Sequence, residues 1–272
     1  MPTKVVLITG ASSGIGKACA EHLSQIGYKV YGTTRFINNL GQGNGKYRMI
    51  QMDINSDHSV KNGINQVFEK EGRLDVVLNN AGFILAGSIE DTTIEEAKTQ
   101  LEANLFGAFR VCREALPKMR EQMSGYIINI SSIGGLMGLP FHGLYSASKF
   151  ALEGLTEALR MEIKQHGIRV VLIEPGDFKT QLTTNRIRVK GSLENPAYKV
   201  NFEKAVTRME IDETHGADPI KVAHLAARIL RTPAPRLRYS IGPVTERVAI
   251  VLKKILPFSL FEKALMKYYG LG

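Results

Sequence analysis

The sequence predicts one α/β domain built on a doubly wound, six- or seven-stranded parallel sheet with helices on both faces. Three observations carry this. Apolar runs of strand length alternate with helical patterns from Val5 to Ile241. The first run opens straight onto a glycine-rich turn and a helix. No linker or internal repeat divides the 272 residues, so 1–272 reads as a single domain, long enough to bury a sizeable core.

Val5-Val6-Leu7-Ile8-Thr9 is a continuous apolar run, as a strand covered on both faces requires. Gly10-Ala-Ser12-Ser13-Gly14-Ile15-Gly16 follows, then a helix through Leu23, stopped by Gly27. Strand, glycine turn and helix together suit a dinucleotide. The glycines let the backbone approach a pyrophosphate, whose charge rests at the helix N-terminus. The spacing is G-x-x-x-G-x-G rather than the commoner G-x-G-x-x-G, and a plain tight turn is the alternative. Ser12 and Ser13 add donors for phosphate oxygens.

A second strand, Lys29 to Thr33, leads into Thr34-Arg35. A site reading an unphosphorylated ribose would place Asp or Glu here, but no acid occurs between Gly27 and Asp53. Arg35, with Ser13, instead offers ligands to a 2′-phosphate, so the expected cofactor is NADP(H) in preference to NAD(H). Asn38 to Lys46 reads as a flexible loop. Tyr47 to Met52 is a third strand, ending in Asp53-Ile54. Asp53 then faces the ligand side of an open parallel sheet, where it accepts from an adenine amino group or caps the next turn.

A helix over Ser59 to Lys70 sets Val60, Ile64, Val67 and Phe68 on one face. Leu74 to Leu78 is a fourth strand, closed by Asn79-Asn80-Ala81-Gly82. Thr93-x-x-Glu96 is a capping box that opens a helical region to about Met123. Asn104 inside it predicts a kink or a tethered partner, and Pro117 a bend further on. Tyr126 to Ile130 is a fifth strand leading into Ser131-Ser132-Ile-Gly-Gly. The next helix carries Tyr145, runs to about Gln165 and ends at Gly167. Arg169 to Ile173 is a sixth strand, closed by Pro175-Gly176.

Across residues 177–215 the apolar periodicity weakens. A mobile, partly helical lid over a substrate is expected there; a structural surface excursion is the alternative. Pro219 to Leu230 is helical, and Arg238 to Ile241 is a seventh strand. The tail, residues 243–272, alternates apolar clusters with Arg247, Lys253, Lys254, Lys263 and Lys267.

The formal net charge is +9, and the chain from Gly216 onward carries +7 of it. The excess suits an anionic membrane, an acidic ligand or a solvated surface, and no nucleic-acid-binding motif accompanies it. The tail could lie on a membrane, apolar clusters down and lysines at the headgroups; a helix closing the substrate pocket or an oligomer contact is the alternative. Cys19 and Cys112 have no metal-like spacing and fall in helical patterns, so buried thiols are expected, with no metal site. No signal peptide and no apolar run near the ~20 residues of a membrane span is visible. A cytoplasmic protein, at most peripheral to a membrane, is the expectation.

Tyr145 and Lys149 stand four residues apart, on one helix face. A free phenol titrates near ~10, and lowering it to about 7 takes ~4 kcal/mol. An ammonium at ~4 Å supplies about that at an effective dielectric of ~20. Lys149 is thus expected to acidify Tyr145 until it exchanges protons near neutral pH, with Ser132 holding the same substrate oxygen. A surface Tyr and Lys on an amphipathic helix is the alternative.

Taken together, these residues resemble the short-chain dehydrogenase/reductase family, from Val5 to about Ile241. Thr9-Gly-Ala-Ser-Ser-Gly-Ile-Gly16 resembles its cofactor motif, and Asn79-Asn-Ala-Gly82 its sheet-stabilising motif. Asn104, Ser132, Tyr145 and Lys149 fall where its catalytic tetrad falls. Pro175-Gly176 and Thr180 resemble the turn that touches the nicotinamide end. The resemblance implies a Rossmann-type fold and hydride transfer between a nicotinamide and a carbonyl or secondary alcohol. It implies that Tyr145 protonates the alkoxide, Lys149 lowers the Tyr145 pKa and binds the nicotinamide ribose, and Asn104 links Lys149 to a proton relay through water. It also implies that Asp53-Ile54 bracket adenine and that Asn80, Ala81 and Gly82 belong to the cofactor site. Homodimers or homotetramers are common in the family.

Ser132-Ile-Gly-Gly-Leu-Met-Gly-Leu-Pro-Phe141 further resembles 17β-hydroxysteroid and retinol-type dehydrogenases. Leu136, Met137, Leu139, Phe141 and His142 would then line the pocket of a bulky apolar steroid-, retinoid- or lipid-like substrate, ordinary loop packing being the alternative. A redox sensor that binds NADP(H) without turnover is the competing function.

Overall fold

The computed structural model describes residues 3–36, 38, 45–181, 183 and 185–271. The strands are β1 (Val5–Ile8), β2 (Lys29–Thr34), β3 (Arg48–Gln51), β4 (Val76–Asn79), β5 (Leu85–Ala86), β6 (Gly125–Ile130), β7 (Ile168–Pro175), β8 (Ile187–Arg188) and β9 (Arg238–Ile241). The helices are α1 (Gly14–Gln25), α2 (Asp57–Glu71), α3 (Ile94–Leu101), α4 (Gly107–Glu121), α5 (Gly143–Glu162), α6 (Lys190–Glu194), α7 (Lys199–Thr214), α8 (Ile220–Arg231), α9 (Val244–Ile255) and α10 (Phe258–Tyr268).

Seven strands form one sheet in the order β3-β2-β1-β4-β6-β7-β9, every neighbouring pair parallel. Side chains alternate across it, so each strand feeds two cores. Val6, Ile8, Val76, Leu78, Ile128 and Val171 pack with α1 and α8 on one face. Val5, Leu7, Val77, Ile127 and Val170 pack with α2, α4 and α5 on the other. This is why the strands read as unbroken apolar runs. Strand order reverses beside β1, and the C-terminal ends of β1 and β4 open there onto a crevice.

The long helical region is broken where Asn104 predicts it. Glu102–Phe106 form a π-helical turn between α3 and α4. Pro117 lies within α4, which continues through it to Glu121. The capping box at Thr93 and Glu96 is formed. Cys19 and Cys112 are free and buried, and burial pushes both thiols up to about 12.

The segment 177–215 folds as β8, α6 and α7, with positions 182 and 184 outside the described residues. β8 pairs with β5, a two-residue ladder too short for periodicity to mark. Of the loop expected over 38–46, positions 39–44 also lie outside the described residues. The tail forms α9 and α10. Among the described residues, no helix is long and apolar enough to cross a membrane.

Candidate active site

The glycine turn is shaped as a cradle. Gly10 and Gly14 hold φ of +65° and +54°, where a side chain is strained. A Cβ on Gly16 would lie 2.3 Å from the Gly10 oxygen, so only glycine lets α1 start this close to β1. Ser13 is the N-cap of α1 but makes no capping bond, and the first turn holds no acid. Backbone amides, the Ser12 and Ser13 hydroxyls and the positive helix end suit a pyrophosphate. An open cavity of about 590 Å³ lies beside this turn, lined by Ser12, Ser13, Lys17, Lys179 and Thr180 among others. Lys17 and Lys179 belong to no motif. The available signal is Lys17 in the first helical turn, where the dipole disfavours a cation unless an anion is near.

Thr9 joins the cradle to the end of β4. Its Oγ1 accepts from the Asn80 and Ala81 amides at 2.9 and 3.0 Å. Asn80 Nδ2 donates to the Thr9 and Gly10 oxygens at 3.0 and 3.1 Å. Asn79 donates to Asn129 at 2.8 Å, stitching β4 to β6. The Ala11 amide donates to the Thr33 oxygen, which brings the end of β2, and exposed Arg35 just beyond it, next to the cradle. Asp53 Oδ1 accepts from the Asn55 amide at 3.0 Å, so the turn-capping role is present. Ile54 is buried against Gly107, which leaves its backbone rather than its side chain for any adenine contact.

Asn104 sits inside the π turn and reaches two elements. Its Oδ1 accepts from the Phe83 amide; its Nδ2 donates to the Phe83 oxygen and to Ser148 Oγ, all within 3.1 Å. Its tie to α5 therefore runs through Ser148. Gly82 lies against it, with room for no Cβ: one would stand 2.7 Å from Asn104 Oδ1.

Ser132, Tyr145 and Lys149 meet at the end of β6. Ser132 caps the short 3-10 turn Ile133–Gly135, its Oγ accepting from the Gly134 amide at 3.0 Å. Ser132 also hydrogen-bonds Tyr145. A Cβ on Gly134 would come within 3.1 Å of the Tyr145 ring, so glycine makes the room. Lys149 Nζ donates to the Ile130 oxygen at 2.8 Å and lies 5.9 Å from the Tyr145 ring centroid.

Burial works against the expected acidification of Tyr145 by Lys149. Burial pushes the phenol up to about 12, against the lowering effect of Ser132, while Glu213 and Asp177 push it further up. Burial likewise draws Lys149 down to about 8. The reason is desolvation. Both groups lie in the interior, and the amine is turned to a backbone carbonyl rather than to the phenolic oxygen.

The 177–215 segment brings a buried ionic cluster towards Tyr145. Arg186, its side chain buried, pairs with Glu213 and Glu210. Glu213 also accepts from Thr183 Oγ1 at 2.5 Å. Both carboxylate oxygens of Glu246, on α9, accept from the Asp177 amide next to Pro175-Gly176. Burial and Glu246 raise Asp177 well above the usual carboxylate range. None of Arg186, Glu213 and Glu246 is marked by a sequence motif.

The expected substrate wall divides. Met137 is buried against Ile250 and Phe261, with Leu136 beside it, so these two face the C-terminal helices. Leu139 lies between α10 and α7. The inner face of the tail therefore packs on the loop that follows Ser132. Phe141 holds φ of +56° and meets Phe202 edge to face. His142 stays with Tyr145, ring centroids 6.0 Å apart, and its buried Nε2 has no hydrogen-bond partner among the described residues. Thr180 stands against Gly14.

The family model for short chain dehydrogenase matches residues 4–190. A 3-ketodihydrosphingosine reductase of Bacteroides thetaiotaomicron is 40% identical over 271 residues, covering 100% of both chains. The 17-beta-hydroxysteroid dehydrogenase type 1 of Mus musculus is 35% identical over 262 residues, covering 88% of this chain and 74% of its own. The crystal structure of a short-chain dehydrogenase from Streptomyces avermitilis superposes with a TM-score of 0.82 at 32% identity, covering 99% of this chain and 98% of that one.

Proposed function

The chain belongs to the short-chain dehydrogenase family, whose members transfer hydride between a nicotinamide cofactor and a carbonyl or alcohol, and from that premise we propose that it is an NADPH-dependent reductase of an apolar, lipid-like ketone. The single observation that carries the reading is the meeting of Ser132, Tyr145 and Lys149 at the end of β6. A buried phenol that hydrogen-bonds Ser132 can give a carbonyl oxygen its proton, and takes it back in the reverse reaction. Carbonyl reduction needs such a donor.

The residues divide the work. Ser132 hydrogen-bonds the carbonyl oxygen and fixes it. Tyr145 gives that oxygen its proton as charge develops. Lys149, charged below about pH 8, stabilises that charge and holds the nicotinamide ribose. Asn104 keeps the π turn closed on Phe83 and so positions α5. A reduced nicotinamide, when bound, supplies the hydride. Gly10, Ser12, Ser13, Gly14, Ile15 and Gly16 would hold its pyrophosphate. Arg35 would take a 2′-phosphate, which favours NADPH over NADH. Asn80, Ala81, Gly82, Pro175, Gly176 and Thr180 would complete the cofactor site.

The relatives support an apolar substrate, since their names specify a ketosphingoid base and a steroid. The full-length match to the former favours a ketone on an aliphatic chain. His142 would meet a polar substituent beside the carbonyl. Phe106, Phe109, Phe150 and Met161, exposed on and beside α4 and α5, support a homo-oligomer. A redox sensor without turnover is not favoured, because it has no use for Ser132 and Tyr145.

The test is a panel of long-chain aliphatic ketones, steroids and retinoids with purified protein, following NADPH and NADH oxidation. Turnover of a long-chain ketone, faster with NADPH at equal concentration, is expected. Tight NADPH binding with no hydride exchange across the panel refutes the reading.

A further inference from the structure

We propose that the outer face of α9, continued round the α9–α10 corner, docks onto an anionic lipid leaflet. α9 is apolar on two sides. Its inner side, with buried Ile250, packs on Met137 and Phe261 beside the catalytic loop, and Lys253 donates to the Leu136 oxygen. Its other side carries Val244, Val248, Val251, Leu252 and Ile255, all exposed. Their spacing, i, i+4, i+7, i+8 and i+11, draws one stripe along a helix of about 18 Å. Val244, Ile255 and the corner residue Phe258 are 71%, 69% and 70% exposed, and Leu260 extends the patch. Scattered apolar residues are ordinary on a surface; a continuous stripe of this kind is a contact surface.

Charge selects the occupant. Arg247 and Lys254 lie beside the stripe on α9, and on α10 the exposed Lys263 and Lys267 outnumber the exposed Glu262. Aliphatic residues that insert, flanked by basic groups that stay in the headgroups, suit a membrane surface with negative charge. A two-fold contact centred on α9 would gather two copies of Arg247 and Lys254 into one interface, where like charges repel. The helices that would rest on the lipid also cover the catalytic loop, which gives an apolar ketone a short path from the bilayer.

Flotation of the full chain with phosphatidylcholine vesicles, with and without phosphatidylglycerol, tests this without reference to turnover. The chain should float with the phosphatidylglycerol vesicles and lose that binding in high salt. V251E/I255E should lower partitioning at least about ten-fold, and K254E about five-fold. Circular dichroism establishes that the variants are folded, and turnover of a water-soluble ketone should not change in them. Equal flotation of V251E/I255E and the parent, or no binding to anionic vesicles at low salt, overturns the proposal. So does a parent mass twice that of V251E/I255E by light scattering without vesicle binding, which would put a second copy on the stripe.

Discussion

Lys149 Nζ donates a 2.8 Å hydrogen bond to the backbone oxygen of Ile130, the last residue of β6. That bond holds the amine at the C-terminal edge of the sheet, out of water. It makes the lysine a positioned charge that the fold is strained to keep protonated. With its pKa drawn from 10.5 to about 8, the charged form is disfavoured in the folded chain by roughly 3 kcal/mol.

The sign of the stability effect follows. Below about pH 8 Lys149 is charged in both folded and unfolded chains, and the fold bears the desolvation. Between about 8 and 10.5 the folded chain releases the proton first, so stability rises with pH; above 10.5 both forms are neutral. Urea unfolding should therefore find K149M more stable than the parent at pH 7, by up to roughly 3 kcal/mol, with the gap closing towards pH 10.5. A K149M chain less stable than the parent at pH 7 contradicts this.

The rate of ketone reduction should fall as pH rises through about 8, where Lys149 loses its charge, while Tyr145 remains protonated. Steady-state profiles of kcat at saturating NADPH would read this. A reduction rate that holds or climbs from pH 8 to 10 would contradict the need for a charged Lys149.

Arg35 is the cation proposed for the 2′-phosphate of NADPH. R35E should raise the KM for NADPH about 10- to 100-fold, the range of one charged hydrogen bond, and leave NADH nearly unchanged. Equal effects on the two cofactors would place the phosphate elsewhere.

Asn104 satisfies both the amide and the carbonyl of Phe83. N104A should lower stability by about 2–3 kcal/mol in urea unfolding, because it leaves those groups unpaired in the interior. It should also lower kcat through displacement of α5. A variant with unaltered stability would show that the π turn does not depend on this side chain.

His142 is held neutral, its pKa drawn down to about 3 by burial, and its Nε2 has no hydrogen-bond partner among the described residues. H142L should fold at least as stably as the parent, since it removes an unmatched nitrogen. Its KM should rise about ten-fold for a ketone with a neighbouring amino or hydroxyl group and stay constant for a plain aliphatic ketone. Equal changes for both substrates would remove His142 from recognition.

Much of this is legible in the sequence because it is local. The glycine turn after Val5–Thr9, the capping box at Thr93 and the break at Asn104 each need only neighbouring residues. The Tyr145–Lys149 spacing is equally legible, but the direction of its electrostatics is not. That depends on how deeply α5 sinks between the sheet and the 177–215 segment, which no spacing reports. Arg186 and Glu213 meet across 27 positions of weak periodicity. Glu246 reaches Asp177 from 69 residues away. Leu136 and Met137 read as a pocket wall until α9 and α10 are seen to cover them.

The most direct measurement is single-turnover reduction of a long-chain ketone by Y145F, with NADPH binding followed by its fluorescence in the same sample. The variant keeps the ring and the cradle, and loses the hydroxyl that would donate the proton. Unchanged NADPH affinity with hydride transfer slowed about 10²- to 10⁴-fold is the expected result. Reduction at the parent rate would mean that another group protonates the oxygen, and the role assigned to Tyr145 would be wrong.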